Sequence, residues 1–127
     1  MEKKLEKRLY EYISGNPHTS FAEINKHFGD ESKGGCSLSL TEYPSMVIWG
    51  NLSDSYVSAI EHLIEIKKIY SHPSQPLIYF IDGCVLDLPE AKRKMHYKKP
   101  HWLPVTLCTF PITNKRNIRA KSPVFAP

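Results

Sequence analysis

Apolar residues recur at helical spacing in three stretches of the chain, each bounded by helix start and stop signals. Residues 2–14 carry Lys and Glu opposite the apolar face, and Gly15 ends the predicted first helix. Ser20 and Glu23 form a capping box before a second helix that ends at Gly29. Ser53 is the predicted N-cap of a third helix that should end near residues 67–68. The core-facing residues of the three helices are Leu5, Leu9, Tyr12, Ile13; Phe21, Ile24, Phe28; and Tyr56, Val57, Ile60, Leu63, Ile64.

Shorter apolar runs predict strands. Residues 46–49 read as one strand, and residues 69–72 and 77–81 read as a pair joined by a short loop that fits a hairpin. Asp82 and Gly83, before residues 84–86, are typical of a type I′ hairpin turn. Residues 106–110 fit an edge strand, whereas residues 30–45 are rich in loop formers and predict a flexible connection.

The order of these elements is helix, helix, strand, helix and β-hairpin, which predicts an α+β, winged-helix-like fold. In this interpretation residues 1–91 form the core, with three helices and a hairpin wing. Residues 92–110 form a basic, aromatic extension that packs on or beside the core. Residues 111–127 form a flexible basic tail.

Composition fits a single globular domain of 127 residues, 41% of them hydrophobic and 24% charged. No segment approaches the roughly 18 consecutive apolar residues of a membrane span, and residues 1–8 lack a signal-peptide apolar region. Cys36, Cys84 and Cys108 are odd in number and widely spaced, which indicates thiols in a reducing compartment. We therefore expect a cytoplasmic protein.

Charge is divided unevenly along the chain. Residues 1–91 hold 8 Lys or Arg and all 13 Asp or Glu, whereas residues 92–127 hold 9 Lys or Arg and no acid. A basic segment of this kind favours a polyanionic partner, because cations placed near phosphates release condensed counterions. A basic tail that only improves solubility is the alternative.

The segment 92–102 interleaves cations with flat rings, the composition of a contact with single-stranded nucleic acid. Cations would meet phosphates, and rings would stack on bases. In the alternative interpretation, Trp102 and Leu103 fold back onto the core and leave only the lysines exposed. The predicted nucleic-acid-binding residues are Lys92, Arg93, Lys94, Tyr97, Lys98, Lys99, His101 and Trp102.

The third helix is poorly suited to the DNA major groove that such a helix enters in winged-helix proteins, because Glu61 and Glu65 on its outer face would repel phosphates. This face is either a solvated acidic surface or a docking surface for a protein partner. The predicted partner-binding residues are Ser58, Glu61, His62 and Glu65.

Catalysis finds little support in the sequence. The six histidines are scattered, none lies in a motif with metal-ligand spacing, and Gly34 and Gly35 are not followed by the Gly-Lys-Ser/Thr of a phosphate-binding loop. Asp82 and Asp87 could be read as an acidic pair that holds Mg²⁺, but a turn explains Asp82 better. We expect a non-enzymatic protein with no metal and no cofactor.

Two stretches of the sequence, residues 76–83 and 96–105, resemble the middle proteins of the staphylococcal cassette-chromosome replication operon. Residues 16–20 and 24–29 also carry the resemblance, which spans residues 1–110. These proteins are encoded between an A-family DNA polymerase and a helicase. The resemblance implies a non-catalytic subunit that binds the polymerase and lets it begin DNA synthesis without a primer. It transfers no catalytic residue.

The leading hypothesis is therefore a DNA-replication accessory protein of a mobile genetic element, which binds single-stranded DNA and an A-family DNA polymerase. A winged-helix transcriptional regulator that reads duplex DNA is the main alternative, and it would give a footprint on a defined duplex. A pure interaction protein, such as an inhibitor of a host enzyme, would bind no nucleic acid. A homodimer in solution, together with such a footprint, would favour the regulator over the accessory protein.

Overall fold

Residues 2–111, the part of the chain that the computed structural model describes, contain four α-helices and six β-strands. The mixed content confirms the α+β prediction. The predicted tail lies outside the described residues except for Pro111. The helices are α1 (Glu2–Gly15), α2 (Phe21–Phe28), α3 (Asp54–Glu65) and α4 (Leu77–Asp82). The strands are β1 (Thr19–Ser20), β2 (Lys33–Ser39), β3 (Met46–Leu52), β4 (Tyr70–Pro73), β5 (His101–Trp102) and β6 (Val105–Cys108).

The first three helices confirm the predictions made from local signals. The Ser20 hydroxyl accepts a hydrogen bond from the Glu23 N–H, and the Glu23 carboxylate accepts one from the Ser20 N–H, so the capping box of α2 is complete. Ser53 caps α3, which ends at Glu65, slightly before the predicted end. No helix within residues 2–111 is both long enough and apolar enough to cross a membrane.

One sheet is antiparallel and has the strand order β1-β6-β4. In it Ser20 pairs with Thr106, and Thr106 pairs with His72 on the other side. The predicted edge strand is therefore central, and all four residues of β6 are buried. Residues 105–108 consequently belong to the core itself and not to an extension beside it.

The second sheet has the order β2-β3-β5 and corrects the prediction for residues 30–45. A short 3₁₀ helix, Gly29–Ser32, leads directly into β2, which pairs antiparallel with β3. The predicted strand at residues 46–49 is confirmed and extends to Leu52. Part of the predicted flexible connection is thus ordered, because strand β3 supplies backbone partners that the local composition does not reveal.

The predicted hairpin at residues 69–86 is wrong. Strand β4 is present, but its partner is β6, and residues 77–82 form helix α4. Gly83 ends α4 in the left-handed conformation, with φ of 82°, and its N–H bonds to the carbonyls of Tyr79 and Phe80. The positive φ that suggested a hairpin turn therefore serves as a helix C-cap instead.

Three aromatic side chains join α4 and the two sheets at the centre of the core. The ring centroids of Trp49 and Tyr79 are 5.0 Å apart, and those of Tyr79 and Trp102 are 5.1 Å apart. The Tyr79 hydroxyl accepts a hydrogen bond from the Phe21 N–H and donates one to the Val105 carbonyl. Burial raises the pKa of Tyr79, so this hydroxyl stays protonated and remains a donor.

Candidate nucleic-acid interface

The predicted nucleic-acid-binding segment forms an irregular loop, residues 92–100, which we call the basic loop. Backbone hydrogen bonds of 2.7 Å close its base, one from Ala91 N to Trp102 O and one from Trp102 N to Pro89 O. A third bond runs from Tyr97 N to the Ser45 hydroxyl across 3.0 Å. The basic loop is therefore fixed to the second sheet.

All five cations of the basic loop are exposed, and none makes an ion pair with a carboxylate among residues 2–111. Exposed like charges close together in the chain create a positive field that attracts a polyanion. The arrangement suits contacts to a phosphate backbone. These cations are Lys92, Arg93, Lys94, Lys98 and Lys99.

Tyr97 shapes the basic loop from within. Its hydroxyl accepts hydrogen bonds from the N–H groups of Lys92 and Arg93 and donates one of 2.8 Å to the Arg93 carbonyl. Its ring stacks on His101 with the centroids 3.8 Å apart. One face of each ring is thus already covered. Tyr97 and His101 therefore stabilise the conformation of the loop more than they offer free ring surface for stacking on bases.

Trp102 does not extend toward solvent, since only 3% of its surface is exposed. Its ring packs against Trp49 and Tyr79 in the core, and Leu103 is partly buried against the same cluster. The prediction that Trp102 stacks on a base is therefore wrong. The alternative, in which residues 102–103 fold back onto the core, is the arrangement that the structure has.

An exposed ring that the sequence analysis missed lies beside the cations. His96 is exposed on the basic loop, and its ring lies 4.8 Å from the half-buried ring of Tyr43, measured between centroids. Tyr43 belongs to the connection between β2 and β3, so no local signal joins it to residue 96. His96 offers the surface that Trp102 lacks for stacking.

The predicted partner-binding residues of α3 are all exposed. Glu61, His62 and Glu65 line one side of a surface groove of about 560 Å³, whose opposite wall comes from β2 and β3. His62 Nδ1 also lies 2.8 Å from Glu6 Oε2 on α1, so this histidine has an intramolecular partner. The two glutamates have no cationic partner among residues 2–111.

Helix α4 presents a second candidate docking surface. The sequence analysis did not predict it, because it assigned these residues to a strand of a hairpin. Leu77, Phe80 and Ile81 are 61%, 63% and 74% exposed, and Val85 beyond the C-cap is 40% exposed. Adjacent large apolar side chains exposed to this degree are typical of protein contact surfaces.

A comparison of the chain with protein-family models, curated proteins and solved structures finds no match.

The structure also brings together His18, His72 and Cys108, which the sequence analysis treated as unrelated. His18 and Cys108 are 90 positions apart in the chain, and only the register of the first sheet makes them neighbours. Burial raises the pKa of the Cys108 thiol, while its contact with His18 acts in the opposite direction. This cluster lies on the first sheet, whereas the basic loop is fixed to the second.

Proposed function

We propose that the chain is a non-catalytic, cytoplasmic DNA-replication accessory protein of a mobile genetic element. It binds single-stranded DNA through the basic loop and an A-family DNA polymerase through a second surface, and so enables de novo primer synthesis. The observation that carries the DNA-binding part is the group of five exposed cations on one fixed loop, none of which has an ion-pair partner within residues 2–111. The polymerase is the partner that the sequence resemblance implies.

We also propose that the chain has a winged-helix-like frame. Helices α1, α2 and α3 occur in the winged-helix order, and the strands after α1 and α3 flank β6 in one antiparallel sheet. In this proposal the connection between β4 and β6, residues 74–104, is the counterpart of the wing, and it carries both α4 and the basic loop. Helix α3, with Glu61 and Glu65 exposed, is unsuited to the major groove. Contact with DNA is therefore assigned to the wing.

The DNA contact is tested with Lys98→Ala/Lys99→Ala. Binding of the full chain to a fluorescent oligothymidylate is measured by anisotropy at several salt concentrations. Each neutralised phosphate contributes about 0.7 to the slope of log K against log salt for a single strand, so losing two contacts lowers the slope by about 1.4. Lys3→Ala/Lys4→Ala removes the same charge from exposed positions of α1 and should change the slope little.

Equal losses in the two double variants would show a non-specific effect of net charge and would remove the basic loop from the site. A defined footprint on a duplex, with no preference for single strands, would instead favour the transcriptional regulator. His96→Ala is expected to weaken binding of the oligothymidylate without changing the salt slope, because stacking contributes about 1–3 kcal/mol per base and releases no counterion.

We assign the polymerase contact to the apolar surface of α4 and not to the acidic face of α3. The centre of a protein interface, which becomes buried on binding, is rich in apolar side chains and poor in carboxylates. Copurification with the A-family DNA polymerase of the operon that the resemblance implies, and primer formation on an unprimed template, are the readouts. Phe80→Ser/Ile81→Ser should abolish both. Glu61→Gln/Glu65→Gln should retain both, and the opposite result would assign docking to α3.

A wild-type chain that fails to copurify would refute the polymerase partner. That result would leave the DNA contact to be judged by the lysine variants alone. Because Phe80 and Ile81 are largely exposed, their replacement should leave the circular dichroism spectrum unchanged. A changed spectrum would contradict the exposed placement of α4.

A further inference from the structure

Three potential metal ligands converge at one end of the β1-β6-β4 sheet. His18 lies in the turn before β1, His72 on β4 and Cys108 on β6. One ring nitrogen of each histidine and the Cys108 sulfur all lie within 4.8 Å of one another. His18 Nδ1 lies 3.2 Å from Cys108 Sγ.

The strand register explains this convergence. Thr19 pairs with Leu107, so the preceding residue, His18, comes opposite Cys108. On the other side of β6, His72 pairs with Thr106. Because side chains alternate across a strand, residues 106 and 108 share one face, and His72 approaches Cys108 diagonally. The cluster therefore joins all three strands of the sheet.

The surroundings orient both imidazole rings. His72 Nε2 lies 2.8 Å from the Phe110 carbonyl, which can only accept, so Nε2 carries the proton and Nδ1 the lone pair. Such a bond from an imidazole to a carbonyl is the usual support of a metal-bound histidine. The Phe110 ring packs edge-on against both imidazoles, at 5.8 Å from His18 and 5.7 Å from His72. His18 also adopts a left-handed backbone, with φ of 63°, a conformation that residues other than glycine seldom adopt.

We propose that His18, His72 and Cys108 bind one Zn²⁺ ion that ties the three strands together. Imidazole and thiolate are the ligands that zinc prefers, and hard ions such as Mg²⁺ do not favour them. Bond lengths of about 2.0–2.3 Å place tetrahedral ligand atoms roughly 3.3–3.8 Å apart, within reach of small side-chain rotations here. The thiol proton passes to solvent on binding, and a water molecule completes the tetrahedron.

A cysteine nucleophile activated by histidine is the other chemistry that a Cys–His pair suggests. Cys108 is buried, which keeps a bulky substrate from its sulfur, whereas a single ion can approach from the side of the exposed His18. A catalytic pair would also leave the convergence of His72 unexplained. Zinc accounts for all three side chains, and this proposal does not depend on the DNA or polymerase contacts.

The experiment uses the full chain, stripped with a chelator and then titrated with Zn²⁺ or with Co²⁺ as a spectroscopic substitute. One ion should bind per chain with micromolar or tighter affinity, and Co²⁺ should give a thiolate-to-metal charge-transfer band in the near ultraviolet. Free Zn²⁺ at a hundredfold excess over Kd should raise the unfolding midpoint by roughly 10 °C.

Cys108→Ser should remove the charge-transfer band, and His72→Asn should weaken Zn²⁺ binding at least tenfold. Cys84→Ser and His27→Asn, at exposed positions elsewhere, are the matched controls and should bind like wild type. If Cys108→Ser does not fold, the affinity of His72→Asn for Zn²⁺ tests the proposal alone. His72 is only half buried, so its replacement should leave the fold intact. Wild-type binding weaker than millimolar, a band retained in Cys108→Ser, or unchanged affinity in His72→Asn would each overturn the proposal.

Discussion

Gly34→Ala tests a close backbone contact that forms only if residues 33–39 are a strand. Lys33 and Cys36 both pair with Leu52, so Gly34 lies in an irregular part of β2. A Cβ atom at Gly34 would lie 2.7 Å from Ser53 Cα and 2.9 Å from Leu52 O. Both neighbours are backbone atoms, which cannot rotate away as a side chain can. The added methyl group must therefore push β2 away from the N-cap of α3.

Overpacking of this kind costs about 1–3 kcal/mol, and disturbing an N-cap costs about 1 kcal/mol more. We expect Gly34→Ala to lower the free energy of unfolding by about 2–4 kcal/mol, which corresponds to roughly 8–16 °C in the unfolding midpoint. Thermal unfolding of the full chain, followed by circular dichroism, measures both quantities. Ligands should be absent so that binding does not mask the loss.

Gly35→Ala is the matched control, because nothing lies within 4 Å of a Cβ atom at this position. It should change stability by less than about 0.5 kcal/mol, as surface substitutions usually do. In a flexible connection the two alanines would behave alike. Equal unfolding midpoints for the two variants would therefore refute the close packing of β2 against α3.

Two further predictions concern tyrosine hydroxyls. Tyr79→Phe leaves the Phe21 N–H and the Val105 carbonyl without their buried partner, and should cost about 2–4 kcal/mol in chemical denaturation. The hydroxyl of Tyr56, and then Arg8, lower the pKa of Glu31 below its ordinary 4.5. The stability that these two contacts of the Glu31 carboxylate provide is therefore complete above pH 4.5. It is lost as the pH falls through the lower pKa that Glu31 has in the folded state. Tyr56→Phe should therefore narrow the difference between unfolding midpoints at pH 7 and pH 3.

The sequence predicted the elements whose signals are local. The N-caps Ser20 and Ser53 lie next to the helices that they begin, and the apolar spacing of α1 is complete within residues 5–13. The exposed cations of the basic loop were likewise predicted, because a run of cations without acids has few ways to become buried. Local composition was enough for these features.

Elements that depend on distant partners were missed. Gly34 and Gly35 give β2 the composition of a loop, and only pairing with β3 makes it a strand. A short apolar run such as residues 77–81 fits a strand or a helix, and the Tyr79 hydroxyl bonds to residues far away in the chain. The His18, His72 and Cys108 cluster has the same origin, since the sheet register alone assembles it.

The two proposed binding surfaces share one anchor in the core. Tyr79 holds helix α4 in the core, and Trp102 closes the base of the basic loop. The ring centroids of Tyr79 and Trp102 are 5.1 Å apart. Trp102→Ala should therefore weaken DNA binding by releasing the loop and should also destabilise the chain by about 3–5 kcal/mol, as expected for removing a buried tryptophan. Lys98→Ala/Lys99→Ala should weaken DNA binding alone, because both lysines are exposed. The lysine variant therefore measures the loss of phosphate contacts without a loss of stability. Adding Trp102→Ala to it would mix the two effects.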